Sequence, residues 1–393
     1  MRAGEGGLPD LIYLDNAATS FPKPPAVGIR MAQFLATEAG NPGRSGHRLS
    51  VAAASVVDDT RRRLATLLGA AHPERLVFTA NGTDALNMAL WGFLAPGDRV
   101  VTTSMEHNSV ARPLRALEDT GVRVVRVPCA RDGSLDPADL ERELRAAPTK
   151  LVAMLHASNV TGTLMPVSDV VGIAHAAGAA VLLDAAQTAG AHPIDVTALG
   201  VDLLAAPGHK GLLGPTGTGV LYVAPTVTLR PVRQGGTGTR SEDERQPLDM
   251  PDALEAGTVN TVGIAGLGAS LEALTARGVS TVQAQEALLT DRLAAGLAEI
   301  SGVRIHGPLD GTRRVGVVSI TVDGWEPVDL AAALDSSFGI AVRPGLHCAP
   351  AAHRTIGTFP LGTVRLSPGF FTTDQEIDRA VEAIGLLAAA TQS

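Results

Sequence analysis

Lysine is rare in this sequence, and one lysine lies in a loop whose residues could do chemistry. Of the 32 basic residues, only Lys23, Lys150 and Lys210 are lysine. Lys210 stands in the stretch GHKGLLGPTGTG, between His209 and a glycine-rich turn. A lysine that is removed from water can lose its proton and form a Schiff base with a carbonyl compound, which arginine cannot do. We therefore interpret Lys210 as a reactive amine rather than as an ordinary surface lysine.

Polar segments follow several of the apolar runs that predict strands. NGTDA, MEHNS, ASNVTGT, DAAQ and PGHK each come directly after such a run. In an open parallel sheet, ligands bind at the carboxyl ends of the strands, where these segments converge. The sequence therefore predicts a single crevice, formed by residues 81–84, His107, Asn159, Asp184, Gln187, His209 and Lys210.

Some of these residues could equally have structural roles. Asp184 and the NGTDA turn could each serve only to cap a helix, and a histidine such as His107 is more often structural than catalytic. Near Lys210, however, a buried carboxylate suits the protonated ring nitrogen of pyridoxal phosphate. The free N–H groups at the start of a helix suit its phosphate, and an imidazole can face its planar ring.

A second candidate region is the loop RPGLHCAPAAHRTIG, residues 343–357. A free cysteine is commonly a small buried apolar residue, which is how we interpret Cys129 at the end of a strand. Cys348 differs, because a Gly/Pro loop beside histidine and arginine favours the thiolate. Arg365 lies inside the apolar run TVRLSPGFF, where a guanidinium could bind a substrate carboxylate through two hydrogen bonds.

The elements that must position these residues alternate along the chain. Apolar strands are predicted at 75–80, 98–104, 122–128, 150–156, 179–186 and 201–207, with helices between most of them, including about 83–94 and 110–120. Continuous apolar strands separated by helices indicate a mostly parallel sheet that is covered on both faces.

The remainder of the chain has a different pattern. Residues 230–260 are polar and rich in glycine, which predicts a long loop of the kind that is usually functional or mobile. After it we predict helix over 262–300, a strand at 315–323, a helix at 328–338, a strand within 356–370 and a last helix at about 374–389. These elements indicate a large domain at 15–260 and a small α+β domain at 261–393 that also includes residues 1–14.

Composition excludes several classes of protein. The 393 residues are 45% apolar and carry a net charge of -8, which argues against a nucleic-acid partner. No apolar run is long enough to span a membrane, and the first ten residues lack the apolar core of a secretion signal. Two distant cysteines form neither a disulfide framework nor a metal-ligand spacing. We therefore expect a cytoplasmic protein with no bound metal.

Two phosphate-binding motifs are also absent. The GPTGTG run has the wrong glycine order for a dinucleotide-binding loop, and it follows a lysine turn rather than a strand. The sequence contains no G-x-x-x-x-G-K-[ST] motif, so an NTPase of the P-loop type is not indicated.

Together, these motifs resemble a known family. GHKGLLGPTGTG, DAAQ, MEHNS, NGTDA, HASNVTGT, EAGTVNT, RPGLHCAP, YLDNAATSFPKP and NPGRSGHRLS are similar to segments of the class V aminotransferase-like cysteine desulfurases that use pyridoxal phosphate. The short cysteine loop most resembles the group II, SUF-type branch and its selenocysteine lyase relatives. The resemblance runs from about residue 11 to residue 390. It implies the fold type I of pyridoxal-phosphate-dependent transferases, with a seven-stranded, mostly parallel sheet and a small α+β C-terminal domain.

The resemblance also implies a cofactor site. Lys210 would carry the pyridoxal phosphate, Asp184 would hold the ring nitrogen and Gln187 the ring oxygen. The full set of cofactor-binding residues that it implies is Gly82, Thr83, His107, Asn159, Asp184, Gln187, His209, Lys210 and the partner's Thr258. A homodimer with its active site at the subunit interface is therefore expected.

The same resemblance implies a reaction. Arg365 and Asn159 would bind the substrate L-cysteine, while Lys210, His107 and Cys348 would be catalytic. Cys348 would attack the substrate sulfur and become a persulfide, L-alanine would leave, and the sulfur would pass to a protein acceptor or to a reductant. A selenocysteine lyase, another C–S lyase, an epimerase or an aminotransferase stays open, because such enzymes need not use Cys348. A non-catalytic cofactor-binding regulator is disfavoured, since no additional domain is visible.

One position departs from the family pattern. Pro207 stands where many relatives have a serine that binds the phosphate. Proline has neither a hydroxyl nor an N–H group, so other groups must complete the phosphate site.

Overall fold

The computed structural model describes residues 11–43, 46–240 and 242–390. Part of the predicted small domain, residues 1–10 and 391–393, lies outside the described residues. So do residues 44–45 of the NPGRSGHRLS motif and one position, Ser241, of the predicted 230–260 loop.

The strands and helices together form a layered α/β structure. The strands are Ile12–Tyr13 (β1), Leu76–Thr79 (β2), Arg99–Thr103 (β3), Arg123–Val127 (β4), Leu151–Leu155 (β5), Ala180–Asp184 (β6), Leu203–Pro207 (β7), Gly219–Val223 (β8), Val303–His306 (β9), Val318–Val322 (β10), Ile340–Ala341 (β11), Arg343–Gly345 (β12) and Thr363–Leu366 (β13). The helices are Pro25–Thr37 (α1), Arg48–Leu68 (α2), Gly82–Phe93 (α3), Asn108–Asp119 (α4), Pro137–Ala146 (α5), Val167–Ala176 (α6), Val196–Leu199 (α7), Thr261–Arg277 (α8), Val279–Ala298 (α9), Pro327–Phe338 (α10), Pro350–Ile356 (α11) and Asp374–Ala390 (α12).

Seven strands form the main sheet, in the order β2-β8-β7-β6-β5-β3-β4. Strands β3 to β7 pair in parallel, whereas β8 runs antiparallel to both of its neighbours, β2 and β7. The strands β2, β3 and β5 to β8 contain only buried residues or nearly so, as expected when helices cover both faces. This architecture confirms the predicted seven-stranded, mostly parallel sheet.

The antiparallel strand β8 is the one strand of the main sheet that the sequence patterns did not identify. It follows the Lys210 loop directly, because β7 and β8 are joined by residues 208–218 without a crossover helix. So short a connection returns the chain antiparallel to the strand before it. The strand is only five residues long and begins at the last glycine of GPTGTG, which hides it from a search for apolar runs.

A second sheet of four strands, in the order β12-β13-β10-β9, is antiparallel throughout. Helices α9, α10 and α12 pack against it, and their apolar residues form a core separate from that of the main sheet. The N-terminal strand β1 pairs with β11 and adds Ile12 and Leu14 to this smaller core.

The boundary at residues 260 and 261 stays a prediction. Helix α8 contributes Ile264, Leu267 and Leu271 to the apolar core of the main sheet and packs on α1 and α2. The predicted loop at 230–260 contains no helix or strand among its described residues. No helix in the described part of the chain is long and apolar enough to cross a membrane.

Candidate active site

A cavity of about 220 Å³ opens where the strands of the main sheet end. Its wall includes residues from the ends of β2, β3, β5, β6 and β7 and from the second sheet. The lining residues with polar or special roles are Asn81, Gly82, Thr83, His107, Ser109, Asn159, Asp184, Gln187, Pro207, His209, Lys210, Arg343, His347 and Arg365. The structure thus brings together the predicted site residues with three exceptions, Asp84, Cys348 and Thr258.

Lys210 reaches the cavity from a tight turn that follows β7. A Cβ atom on Gly208 would overlap the Thr218 hydroxyl. Only glycine therefore allows the backbone at position 208 to lie this close to Thr218. Burial of the Lys210 amine, followed by the nearby Arg365 guanidinium, lowers its pKa to about 8, against the opposing influence of Asp184. An amine with that pKa can both hold and release a proton near neutral pH.

Asp184 and Gln187 line the cavity from the end of β6. The Asp184 carboxylate accepts a hydrogen bond of 2.9 Å from the Ala186 N–H, and burial raises its pKa. The Gln187 amide donates to the Ala17 carbonyl at 3.1 Å. Behind Asp184 lies a second carboxyl group, Glu106, whose pKa burial raises to about 8. A cationic partner in the cavity would offset the cost of keeping the Asp184 charge buried.

The N-terminus of α3 forms another wall. The Asn81 side chain accepts from the Asp84 N–H at 2.9 Å, whereas no hydrogen bond within the described residues uses the N–H of Gly82 or Thr83. A Cβ atom on Gly82 would lie 3.2 Å from the Pro207 ring, so the helix start packs closely on the end of β7. Two free N–H groups at a helix N-terminus favour an anion.

His107 is the N-cap residue of α4, and its hydrogen bonds define the state of its ring. Its Nδ1 accepts the Ser109 N–H at 3.1 Å and also lies 2.9 Å from the Ser109 hydroxyl. Because a backbone N–H can only donate, Nδ1 carries no proton, and the neutral ring holds its proton on Nε2. Burial, and then the charges of Lys210 and Arg343, lower the His107 pKa to about 4, so the ring is neutral at physiological pH.

Two arginines lie opposite each other on neighbouring strands of the second sheet. Arg343 in β12 pairs with Arg365 in β13, and both line the cavity. Like charges directly opposite each other on a sheet are unfavourable. The buried Arg365 guanidinium, 1% exposed, donates to the Asp15 carboxylate at 2.8 Å and to the Asn159 carbonyl at 3.1 Å. No carboxylate among the described residues pairs with Arg343, so the two guanidiniums together favour an anionic ligand.

Cys348 lies beside the cavity on an exposed loop that is anchored to the cavity wall. The Asn108 N–H donates to the Cys348 carbonyl at 2.8 Å, and the Asn159 side chain donates to the His347 carbonyl at 2.7 Å. Arg343 donates to the Cys348 sulfur at 3.5 Å. Cys348 and His347 both have φ in the left-handed region, at 60° and 47°. Such a conformation is costly for residues other than glycine and persists only where surrounding contacts hold it.

Thr258 lies elsewhere in this chain. It lines a separate cavity with Thr79, Gly217 and Arg233. Within one chain it therefore does not face Lys210.

Three functional candidates were not identified from the sequence: Arg343 and Ser109, which line the cavity, and Asp15, which contacts the cavity residue Arg365. Arg343 stands in the cysteine loop, yet its role depends on its pairing with Arg365, which only the fold reveals. Ser109 connects His107 to the Thr83 hydroxyl, 2.7 Å away. Asp15 reaches Arg365 across 350 residues of sequence. The one signal in the sequence was that Arg343 stands in the same loop as Cys348.

The residues present fit pyridoxal phosphate. The cavity is cationic, and it contains an amine with a lowered pKa opposite a buried carboxylate. Buried polar atoms without a partner in the described structure include Asn159 Oδ1, His209 Nδ1 and Arg365 Nε, which a polar ligand could satisfy. These features together match an anionic aromatic aldehyde with a basic ring nitrogen.

Comparisons with known proteins agree with this site. Residues 12–380 match the sequence profile of the family described as Aminotransferase class-V. A probable cysteine desulfurase of Methanothermobacter thermautotrophicus is 36% identical over 97% of this chain and 96% of its own. A cysteine desulfurase of Pectobacterium atrosepticum is 37% identical over 98% of this chain and 95% of its own.

Solved structures give the same result. The apo structure of a cysteine desulfurase from Thermococcus onnurineus NA1 has a TM-score of 0.91 at 34% identity, covering 97% of this chain and 95% of that one. The Escherichia coli cysteine desulfurase CsdA has a TM-score of 0.86 at 30% identity, covering 97% and 96%. With the profile match spanning nearly the whole sequence, the chain belongs to the class V aminotransferase family.

Proposed function

We propose that this protein is a pyridoxal-phosphate-dependent cysteine desulfurase that converts L-cysteine to L-alanine and transfers the sulfur to Cys348. The observation that carries the proposal is the placement of an exposed thiol beside a cationic cavity that contains a lysine of lowered pKa. The family profile and the desulfurases of similar sequence and structure support it.

The cofactor would be held by residues of the cavity. Lys210 would bind its aldehyde carbon, Asp184 its ring nitrogen, Gln187 its ring oxygen, and His107 and Asn159 would contact its ring. The phosphate would lie against Gly82, Thr83 and His209. When bound, pyridoxal phosphate acts as an electron sink for the substrate α-carbon.

Lys210 and His107 are suited to moving protons. With its pKa near 8, the Lys210 amine can take the α-proton of the substrate and return it. The His107 ring is neutral and carries its proton on Nε2, so it can donate a hydrogen bond into the cavity and orient a group there. The paired guanidiniums of Arg365 and Arg343 would bind and orient the substrate carboxylate.

Cys348 would accept the sulfur. Its thiolate attacks the substrate sulfur, a sulfur–sulfur bond forms, and the carbon–sulfur bond of the substrate breaks. The electron pair of the broken bond stays on the carbon, which takes up a proton to become the methyl group of alanine. The product on the enzyme is a persulfide, whose outer sulfur can pass to an acceptor protein or be released by a reductant. Arg343 donates to the Cys348 sulfur at 3.5 Å and would help to hold it beside the cavity.

The proposed assembly is a cytoplasmic homodimer. Thr258 lines a cavity other than the one that contains Lys210 of its own chain, which supports a contact with the partner's cofactor instead. The exposed apolar residues Ile29, Leu35, Leu49 and Val51 on α1 and α2 offer a surface for a second copy.

A single-turnover experiment tests the sulfur step. The protein loaded with pyridoxal phosphate is mixed with one equivalent of L-cysteine, quenched by alkylation under non-reducing conditions, and mapped by peptide mass. We expect one additional sulfur atom on the peptide that contains Cys348. The only other cysteine, Cys129, is the internal control, because burial raises its pKa to about 11. An additional sulfur on Cys129 alone, or on neither peptide, would contradict the proposal.

A further inference from the structure

Residues of the N-terminal segment Thr19–Lys23 donate hydrogen bonds to the backbone carbonyls of His209 and Lys210. The His209 carbonyl accepts from the Ser20 N–H at 3.1 Å and from the Thr19 hydroxyl at 3.1 Å. The Lys23 ammonium donates to the same oxygen at 2.7 Å. A carbonyl oxygen has two lone pairs, and the His209 oxygen accepts from these three donors. Together they restrict the orientation of the carbonyl group.

Lys23 also holds the next carbonyl along the chain. Its ammonium donates to the Ser20 hydroxyl at 2.7 Å, and that hydroxyl lies 3.0 Å from the Lys210 carbonyl, to which it donates. The two peptide oxygens that flank the Lys210 Cα are therefore connected to one ammonium group. This arrangement fixes the direction in which the Lys210 side chain leaves the backbone.

The Lys23 charge has no partner of opposite sign among the described residues. No carboxylate of the described residues forms an ion pair with its ammonium, and its half-buried position lowers its pKa to about 8. The side chain does not line the cavity that contains Lys210. Keeping a charged group half-buried without a counter-ion costs free energy, which charge-assisted hydrogen bonds can offset. The hydrogen bonds of Lys23 go to the Ser20 hydroxyl and to the His209 carbonyl.

We propose that Lys23 is a positioning residue for Lys210, acting through Ser20 and the His209 carbonyl to aim the reactive amine at the cofactor. This inference rests on the proposed pyridoxal-phosphate site. It concerns the affinity and attachment of the cofactor, which can be measured without any turnover of L-cysteine.

The test compares cofactor binding in lysine variants. Apo-protein is titrated with pyridoxal phosphate by absorbance, and the lysine-bound fraction is trapped with borohydride and located by peptide mass. Lys23→Met retains the length of the side chain but removes both of its charge-assisted hydrogen bonds, and we expect it to weaken cofactor binding about tenfold or more. Lys23→Arg keeps a charged donor and should recover part of the affinity. Ser20→Ala, which removes the bridge to the Lys210 carbonyl, should weaken binding in the same direction.

The third lysine provides a matched control. Lys150 binds Asp98 at 2.7 Å and lies far from the cavity, so Lys150→Met should bind the cofactor as the unmodified protein does. The inference is overturned if Lys23→Met or Ser20→Ala lowers the melting temperature while affinity and trapping at Lys210 stay unchanged. It is also overturned if Lys150→Met weakens binding equally. Failure of the unmodified protein to attach the cofactor to Lys210 would overturn the proposed function as well, which separates the two claims.

Discussion

At the scale of single residues, the site depends on amines and imidazoles whose surroundings shift their protonation. Burial accounts for most of each shift, and neighbouring cations add to it. Lys210 can lose its proton near neutral pH, and His107 stays neutral with a proton on Nε2. An arginine at position 210 would keep its charge at any physiological pH. The proposed attachment of the cofactor therefore requires an amine at this position.

Replacing Lys210 by arginine tests this requirement. We expect Lys210→Arg to fold and to retain the cationic cavity, but to leave no cofactor attached after borohydride reduction, since a guanidinium does not form the covalent bond. Alanine production should fall by about three orders of magnitude or more, the range seen when a covalent catalytic group is lost. The lysine that carries the cofactor is identified by peptide mass after the reduction. Cofactor found on Lys23 or Lys150 of the unmodified protein would contradict the assignment of Lys210.

Residue types and motif order predicted which side chains surround the cavity better than they predicted how those side chains are paired. Lys210, Asp184 and His107 each lie at or just after the end of a strand, so the rule for parallel sheets was sufficient to bring them together. Arg343 was missed because its significance is a cross-strand pair with Arg365, and strand register cannot be deduced from a single sequence. The sequence predicts that Cys348 is reactive, but it could not predict the left-handed backbone there, which contacts with Asn108 and Asn159 hold in place.

At the scale of elements, the turn between β7 and β8 is the critical connection. Pro207 ends β7 against the N-terminus of α3, and Gly208 passes so close to Thr218 that no side chain fits. The predicted strands of the main sheet agree with the observed ones to within about two residues, whereas the short strands β8, β9 and β12 and helices α1 and α2 were not predicted individually. Short strands that lie between glycine-rich loops carry too few residues to show a pattern.

Substitution of Gly208 tests the close packing of this turn. We expect Gly208→Ala to lower the unfolding free energy by about 2 kcal/mol or more and to weaken cofactor binding, because the turn must move together with Lys210. Urea unfolding of the apo-protein and a cofactor titration would measure the two effects.

Another glycine supplies the control for that experiment. Gly172 lies on an exposed face of α6, with no atom within 4 Å of a Cβ placed on it. Gly172→Ala should therefore stabilise the protein by about 0.5–1 kcal/mol and leave cofactor binding unchanged. If Gly208→Ala behaved like Gly172→Ala, the turn would not have the role that we assign to it.

At the scale of the whole molecule, buried histidines govern the response to acid. Seven of the ten histidines have a lowered pKa, chiefly through burial: His107, His156, His192, His209, His306, His347 and His353. Each has a lower pKa in the folded than in the unfolded chain, so acid favours unfolding as the pH falls below 6.5. Asp184, Glu106 and Glu286 have raised pKa values and act in the opposite direction.

We expect the histidines to dominate because they outnumber the carboxyl groups. The unfolding free energy of the apo-protein should decrease steadily from pH 6.5 towards pH 4. His306→Gln, which removes one such group at the second sheet, should make the decrease shallower. The unfolding free energy of both proteins is measured by urea unfolding at a series of pH values. A free energy that rises on acidification would contradict the assignment of buried neutral histidines.

Mixed dimers test the proposed sharing of the active site. In a dimer of Lys210→Ala with Thr258→Ala, one site keeps Lys210 together with the partner's Thr258 if that threonine acts across the interface. We therefore expect co-expressed, tandem-tagged mixed dimers to regain up to about half of the normal activity, since one of two sites is intact. The Thr258→Ala homodimer must itself be impaired for this comparison. Mixed dimers no more active than the impaired homodimers would place Thr258 within its own chain's site.

The most direct test of the central claim measures alanine and sulfide released from L-cysteine in the presence of a reductant. The account predicts equal amounts of the two products from the unmodified protein and from Cys129→Ser. It predicts a loss of about a hundredfold or more for Cys348→Ser, although that variant should bind pyridoxal phosphate normally. Retained activity in Cys348→Ser, or pyruvate in place of alanine from the unmodified protein, would contradict the transfer of sulfur to Cys348.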